Sequence, residues 1–89
     1  MKAVITVLGK DAVGILAKIS NVCANEGASI IEVTQSVMQD LFAMIMLVDI
    51  CDLNVGFADF ADALEALGND KGLVIHAMHE DIFNTMHHI

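Results

Sequence analysis

The residue types that could bind a ligand are concentrated in one short segment, Gly9 to Gly14, between an apolar run and a helical pattern. A glycine at a strand-to-helix turn lets a ligand approach the backbone closely. Free amide groups at the start of a helix attract an anion such as a carboxylate, and Asp11 offers acceptors for an ammonium group. The segment could therefore hold both ends of an α-amino acid, with Ile15 and Leu16 forming an apolar wall.

The same residues also have a purely structural interpretation. Asp11 can cap the following helix, and Gly14 can allow that helix to approach the sheet. Capping stabilises a helix by ~1 kcal/mol, which accounts for an aspartate here without any ligand. The sequence leaves both interpretations open.

No pattern in the chain combines a nucleophile with a base. The serines Ser20, Ser29 and Ser36 have no histidine near them in the predicted elements, and Cys23 falls on the buried face of a helix. A regulatory function needs no such pair. We therefore predict that the protein is not an enzyme.

The histidines His76, His79, His87 and His88 gather towards the end of the chain. A zinc site requires ligands at a fixed spacing and a third ligand besides a pair. His87 and His88 are adjacent and point to different sides of a helix, while His76 alternates with apolar neighbours on a strand and is expected near the helix-free face of the sheet. We predict no metal site and no cofactor, and leave a metal role for these four histidines open.

The charge balance excludes several classes of partner. Twelve Asp and Glu residues face four lysines and no arginine, for a net charge of −8. Nucleic-acid binding depends on a basic surface that displaces counterions, and anionic membranes attract basic segments. We expect neither nucleic acid nor membrane as a partner.

The apolar content points to a cytoplasmic protein that associates with itself. The chain is 56% hydrophobic, yet no apolar run reaches the roughly 18 residues of a spanning helix, and no signal-peptide pattern opens it. The two cysteines, Cys23 and Cys51, are expected to be reduced and largely buried. A domain of 89 residues buries a limited share of its surface, so a partner copy is the natural cover for the excess.

Hydrophobic periodicity predicts the order β-α-β-β-α-β followed by a short helix. This order is typical of an α+β, ferredoxin-like sandwich, a four-stranded antiparallel sheet with two helices on one face. We expect residues 1–89 to form one domain, with a core of about 1–79 and a C-terminal helix of about 80–89. The predicted elements are a strand at Ala3–Leu8, a helix from Asp11 to Gly27, strands at Ala28–Met38 and Phe42–Ile50, a helix from Asn54 to Gly68, and a strand at Leu73–Met78.

The third strand predicts a homodimer, because it is apolar on both faces. A strand with one solvent-exposed face would alternate between apolar and polar residues. Two helices cover only one face of the sheet, and the terminal helix shields part of the other. A second copy would bury the rest, most simply with two-fold symmetry.

Within the ferredoxin-like group, the chain resembles the ACT domain over roughly residues 1–79. The resemblance rests on the run from Val7 to Leu16, with Asp11, Gly14, Ile15 and Leu16, and on Ala24-Asn25-Glu26-Gly27 followed by Ala28-Ser29-Ile30. Val13 stands where many members have proline, and Ser29 where several amino-acid-binding members have asparagine. The chain is similar to stand-alone prokaryotic ACT proteins and, distantly, to glycine cleavage system repressors.

The resemblance implies a regulatory homodimer that senses a small molecule, an amino acid above all, and acts on a separate protein. Dimers of this family place the first loop of one chain near the start of the second strand of its neighbour. The alternative function is a ligand-free protein–protein interaction and dimerisation module. The binding residues implied by the resemblance are Asp11, Ala12, Val13, Gly14, Ile15, Leu16, Ser29 and Ile30.

Overall fold

A computed structural model of the chain describes residues 1–10 and 14–86. It confirms the predicted order of elements and the ferredoxin-like α+β fold, and each strand lies within one residue of its predicted bounds. The elements are β1 (Lys2–Gly9), α1 (Ile15–Glu26), β2 (Ser29–Met38), β3 (Leu41–Asp49), α2 (Phe57–Lys71), β4 (Val74–His79) and α3 (Glu80–Met86).

The four strands form one antiparallel sheet in the order β2-β3-β1-β4. On the central strand β1, the alternate residues Ala3, Ile5 and Val7 are buried under the helices, as the two-residue period of a strand requires. Because β1 and β2 both run antiparallel to β3, they are parallel to each other. Helix α1 therefore connects the end of β1 to the start of β2 along the sheet.

The hydrophobic core lies between the sheet and the first two helices. Helix α1 contributes Ile15, Ile19 and Cys23, and α2 contributes Phe60 and Leu64. Full burial of one such large apolar side chain stabilises the fold by about 1.5–3 kcal/mol. The strands β3 and β4 complete the core with Met44, Met46, Val48 and Ile75.

Asn54, the first residue of the predicted second helix, lies outside α2 and does not cap it. The N-cap residue is Gly56, without a side-chain hydrogen bond. Asn54 instead binds the end of α1: its Nδ2 donates to the Asn25 carbonyl oxygen at 3.0 Å, and its backbone N–H donates to the Glu26 carbonyl oxygen at 2.8 Å. Asn54 thus satisfies two orphan carbonyls at the end of a different helix, one through its side chain and one through its backbone.

The two helix-terminating glycines have different outcomes. Gly27 ends α1 as predicted, in a left-handed conformation with φ of 87°. Gly68 does not end α2, because the helix continues to Lys71 and stops at Gly72 with φ of 70°. Gly68 is buried, and a Cβ atom there would lie 2.8 Å from Ile75 Cγ1. Glycine at this position allows α2 to approach β4 closely.

The short helix α3 contacts β1 and β4 on the sheet face opposite α1 and α2. Val4 belongs to that face, since it lies between Leu47 and Met78 in the register. It is only 4% exposed, whereas Ile45 on β3 is 44% exposed. Helix α3 therefore covers the β1–β4 half of the face and leaves the β2–β3 half open.

Substitution of Gly68 by alanine tests the close packing of α2 on β4. The added methyl group would lie 2.9 Å from the Leu73 carbonyl oxygen, and such overpacking costs about 1–3 kcal/mol. The gain in helix propensity, roughly 0.5–1 kcal/mol, does not offset the larger part of this range. We expect a lower urea midpoint for Gly68→Ala. The control is Gly56→Ala, whose Cβ would meet no atom closer than 3.8 Å; equal stability of the two variants would contradict this account.

Candidate functional site

Gly14 is the N-cap of α1 and adopts a left-handed conformation with φ of 75°. It is exposed, and a Cβ atom there would meet no atom of the described residues within 4 Å. No side chain among the described residues accepts a hydrogen bond from the first amides of the helix. Asp11, Ala12 and Val13, including the predicted capping role of Asp11, lie outside the described residues. The start of α1 thus presents backbone donors beside a glycine with open space around it.

The two predicted wall residues have different environments. Ile15 is 2% exposed and belongs to the hydrophobic core, so its side chain is committed to packing. Leu16 is half-buried and packs against the same core. The apolar surface that α1 can offer to a ligand at its start is therefore that of Leu16.

Ser29 and Ile30 lie at the opposite end of the sheet from Gly14. Ser29 is opposite Asp49, which is opposite Lys2 at the start of β1. Gly14, in contrast, follows the end of β1. The eight residues of β1 are joined by seven steps of about 3.4 Å, which separate these ends by roughly 24 Å. A single chain does not bring the two parts of the predicted site together.

Strand β2 is an exposed edge of the sheet. It has ten residues, and all of them except Val33 are exposed. Its one charged side chain is Glu32, and it contains no lysine or proline, the residues that commonly protect edge strands. Unpaired backbone groups and apolar side chains make this edge suitable for pairing. Its most exposed large apolar residues are Ile31, Val37 and Met38.

The two cysteines are both free and have contrasting environments. Burial, together with the charge of Glu26, raises the pKa of the Cys23 thiol to about 11. Cys51 is exposed, contrary to the expectation of burial. Its Sγ accepts a hydrogen bond from the Met1 ammonium at 2.8 Å, which raises the pKa of that ammonium. Its backbone N–H donates to Asp49 Oδ1 at 2.8 Å and lowers the pKa of the Asp49 carboxyl.

Two histidines can be placed. His76 lies opposite Thr6 on the sheet face away from α1 and α2, as predicted, but α3 covers part of that face. The His79 ring stacks on Phe57 with centroids 4.1 Å apart, so it joins the end of β4 to the start of α2. Within residues 1–10 and 14–86, no group of three or more potential ligands is arranged to hold a metal; His87 and His88 lie outside these residues.

The sequence did not reveal the stacking of His79 on Phe57 or the contact of Cys51 with the chain start. The sequence pattern places Phe57 among the buried residues of a helix, but its contact with His79 depends on where β4 ends. Cys51 follows a buried strand, and only the turn after β3 brings it to the surface. Neither position has a local sequence signal for its partner.

A family model of the ACT domain matches residues 2–77. The chain belongs to the ACT domain family. Such domains are typically ligand-sensing regulatory modules, and they commonly dimerise and bind small-molecule effectors. The family is a regulatory one and not a catalytic one.

Relatives of similar length support this assignment of the ACT domain. The UPF0237 protein of Methanococcus maripaludis is 46% identical over 97% of this chain and 96% of its own. The solved ACT domain protein from Streptococcus pneumoniae is 35% identical, with a TM-score of 0.79 and coverage of 93% of each chain. A putative glycine cleavage system transcriptional repressor has a TM-score of 0.72 at 24% identity, over 85% of this chain and 43% of its own, which shows a shared fold.

The described helices of this ACT domain include none with the length and apolar content needed to cross a membrane.

The raised pKa of Cys23 predicts a loss of stability in alkaline solution. The folded state holds the proton to a pKa of about 11, above the ordinary value of 9.0. The unfolded state therefore releases the proton first, and the stabilisation present below pH 9 is lost as the pH rises through about 11. The free energy of unfolding should be measured with urea from pH 8 to 11. It should decline more steeply for the natural protein than for Cys23→Ala, a control that retains all the lysines. Parallel declines would contradict the burial of this thiol.

Proposed function

We propose that this ACT domain senses a small metabolite, an amino acid in the first instance, as a homodimer that acts on a separate protein. The observation that carries the proposal is the start of α1. The first backbone donors of the helix adjoin a left-handed, exposed glycine, and no described side chain caps them. The proposal involves no catalytic step.

An α-amino acid matches the groups expected around this helix start. Its carboxylate would accept hydrogen bonds from the first amides of α1, where the helix dipole also favours negative charge. Its ammonium group would donate to the Asp11 carboxylate. Leu16, half-buried at the same end, would contact the side chain of the ligand.

A second copy would complete this site, since Ser29 and Ile30 lie at the far end of the same chain's sheet. Antiparallel pairing of two β2 strands around a two-fold axis reverses the direction of the partner. The partner's β2 start would then lie near the Met38 end of this chain, where Val37 and Gly9 both pair with Phe42 and Gly9 leads towards Gly14. Both sets of helices stay on one side of the joined sheet in this arrangement.

Such a shared site links ligand binding to association. A ligand that contacts both chains binds the dimer better than the monomer, so each process strengthens the other. The domain could then signal through its state of association, and the regulated protein would read the dimer surface.

A thermal-shift panel of the proteinogenic amino acids tests the sensing function. A ligand present at 100 times its dissociation constant adds about 2.7 kcal/mol to the free energy of unfolding, which raises the Tm of a domain of this size by more than about 10 °C. The matched variant is Gly14→Val. It costs about 1–2 kcal/mol of left-handed strain, but its Cβ would meet no described atom within 4 Å, so it should fold and lose the response.

A flat response of the natural protein across the panel would reject amino-acid sensing. It would favour the alternative function, a ligand-free dimerisation module. The exposed apolar edge of β2 supports that alternative as well, because an edge strand can pair without any ligand.

Sedimentation velocity at micromolar concentration tests pairing along β2. We expect a dimer for the natural protein and a monomer for Val37→Lys, because a lysine protects an edge strand and desolvates poorly at an interface. The control is Val74→Lys on the other edge strand; Val37 and Val74 are 67% and 53% exposed. Dissociation by Val74→Lys alone, or a natural monomer, would contradict pairing through β2.

A further inference from the structure

A groove separates α3 from the open half of the sheet, on the face opposite α1 and α2. Its volume is about 350 Å³, within the range of roughly 300–1,000 Å³ that is usual for small-molecule sites. Both the sheet and the helix contribute side chains to it. Residues that line it include Thr6, Leu8, Ile45, His76, Met78 and Phe83.

Two polar side chains lie next to each other on the floor of the groove. Thr6 and His76 are directly opposite in the pairing of β1 with β4, where facing Cβ atoms are about 4.5–5.5 Å apart. The hydroxyl and the imidazole can each donate a hydrogen bond. Neither forms a side-chain hydrogen bond with another described residue, so both remain available to one polar group of a ligand.

The charge of the groove differs from that of the rest of the protein. The chain carries twelve acidic residues and a net charge of −8, yet no aspartate or glutamate among the described residues lines the groove. A cationic ligand would find no counter-charge among these lining residues. A carboxylate would meet two donors and no repelling neighbour, and an aliphatic tail would contact Leu8, Ile45 and Met78.

We infer that this groove is a ligand site for a small monocarboxylic acid with an apolar tail. The floor residue Thr6 is half-buried, and the groove volume of about 350 Å³ fits a small molecule. A bound acid would touch Phe83 and the strands together, and it would therefore stabilise α3 on the sheet. The site is independent of the proposed sensing function, since it lies on the other face from Gly14.

Two-dimensional NMR titration of the full chain with hexanoate, hexylammonium and hexanol tests this inference. These probes each have an unbranched chain of six carbons and differ in the headgroup. We expect hexanoate to bind with a millimolar or lower dissociation constant, with shifts centred on Thr6 and His76, and hexylammonium to bind at least about tenfold more weakly, since it meets no acceptor of opposite charge.

A matched pair of variants tests whether the Thr6 hydroxyl contributes to binding, as distinct from a threonine elsewhere on the same sheet face. Thr6→Val removes the donor and retains the branched shape, so hexanoate should bind about two- to tenfold more weakly, as the loss of one hydrogen bond implies. Thr34→Val is the control, because Thr34 lies in the same cross-strand row, next to Ile45, and does not line the groove; it should leave the affinity unchanged.

Three results would overturn the inference. One is the absence of localised shifts with hexanoate. Another is equal affinity for hexanoate and hexylammonium, which would mean apolar contact without headgroup recognition. The third is protection of the groove by self-association, seen if Ile45→Glu converts a dimer to a monomer and hexanoate fails to bind the natural protein. The thermal-shift response to amino acids is unaffected by any of them.

Discussion

The direction of the second strand relative to the first determines which parts of the predicted site a single copy of this domain can bring together. Strands β1 and β2 are parallel, because each pairs antiparallel with β3. Helix α1 must then span the sheet from the end of β1 to the start of β2, and its 12 residues rise about 18 Å. Gly14 and Ser29, at its two ends, are therefore held apart by the backbone itself.

The distribution of charge limits how two copies can meet. Each chain has a net charge of −8, so extensive contact between acidic surfaces would be unfavourable. Strand β2 has a single carboxylate over ten residues, and its unpaired backbone groups favour a second strand. This edge therefore combines low charge with unpaired backbone groups, and two-fold pairing there would reverse the partner so that separated site residues converge.

Much of the fold could be predicted from local patterns. The runs of β-branched and apolar residues located the four strands to within one residue, since strand propensity and burial agree there. The helix ends were less predictable. Asparagine is a common helix cap, but the side-chain amide of Asn54 binds the end of α1 at Asn25. Glycine commonly ends a helix, but Gly68 lies in a close contact with Ile75. Both outcomes depend on tertiary neighbours that a single local pattern does not contain.

The candidate site was predictable only in part for the same reason. A glycine before a helical pattern indicated a special turn at Gly14, and its left-handed φ of 75° agrees. The commitment of Ile15 to the core follows from the position of the sheet, not from residue type. The groove beside α3 arises where that helix leaves half of one sheet face uncovered, and its polar pair, Thr6 and His76, comes from the register of strands about 70 residues apart in the chain.

A complementation experiment tests the shared site most directly. Gly14→Val damages the helix start, Ser29→Tyr blocks the start of β2, and neither homodimer should bind the amino acid identified by thermal shift. In an equimolar mixture, half of the dimers are mixed and each of these has one undamaged site, so calorimetry should recover about one quarter of the natural binding capacity. No recovery, with both variants dimeric and exchanging subunits, would show that each site lies within a single chain and would contradict the account.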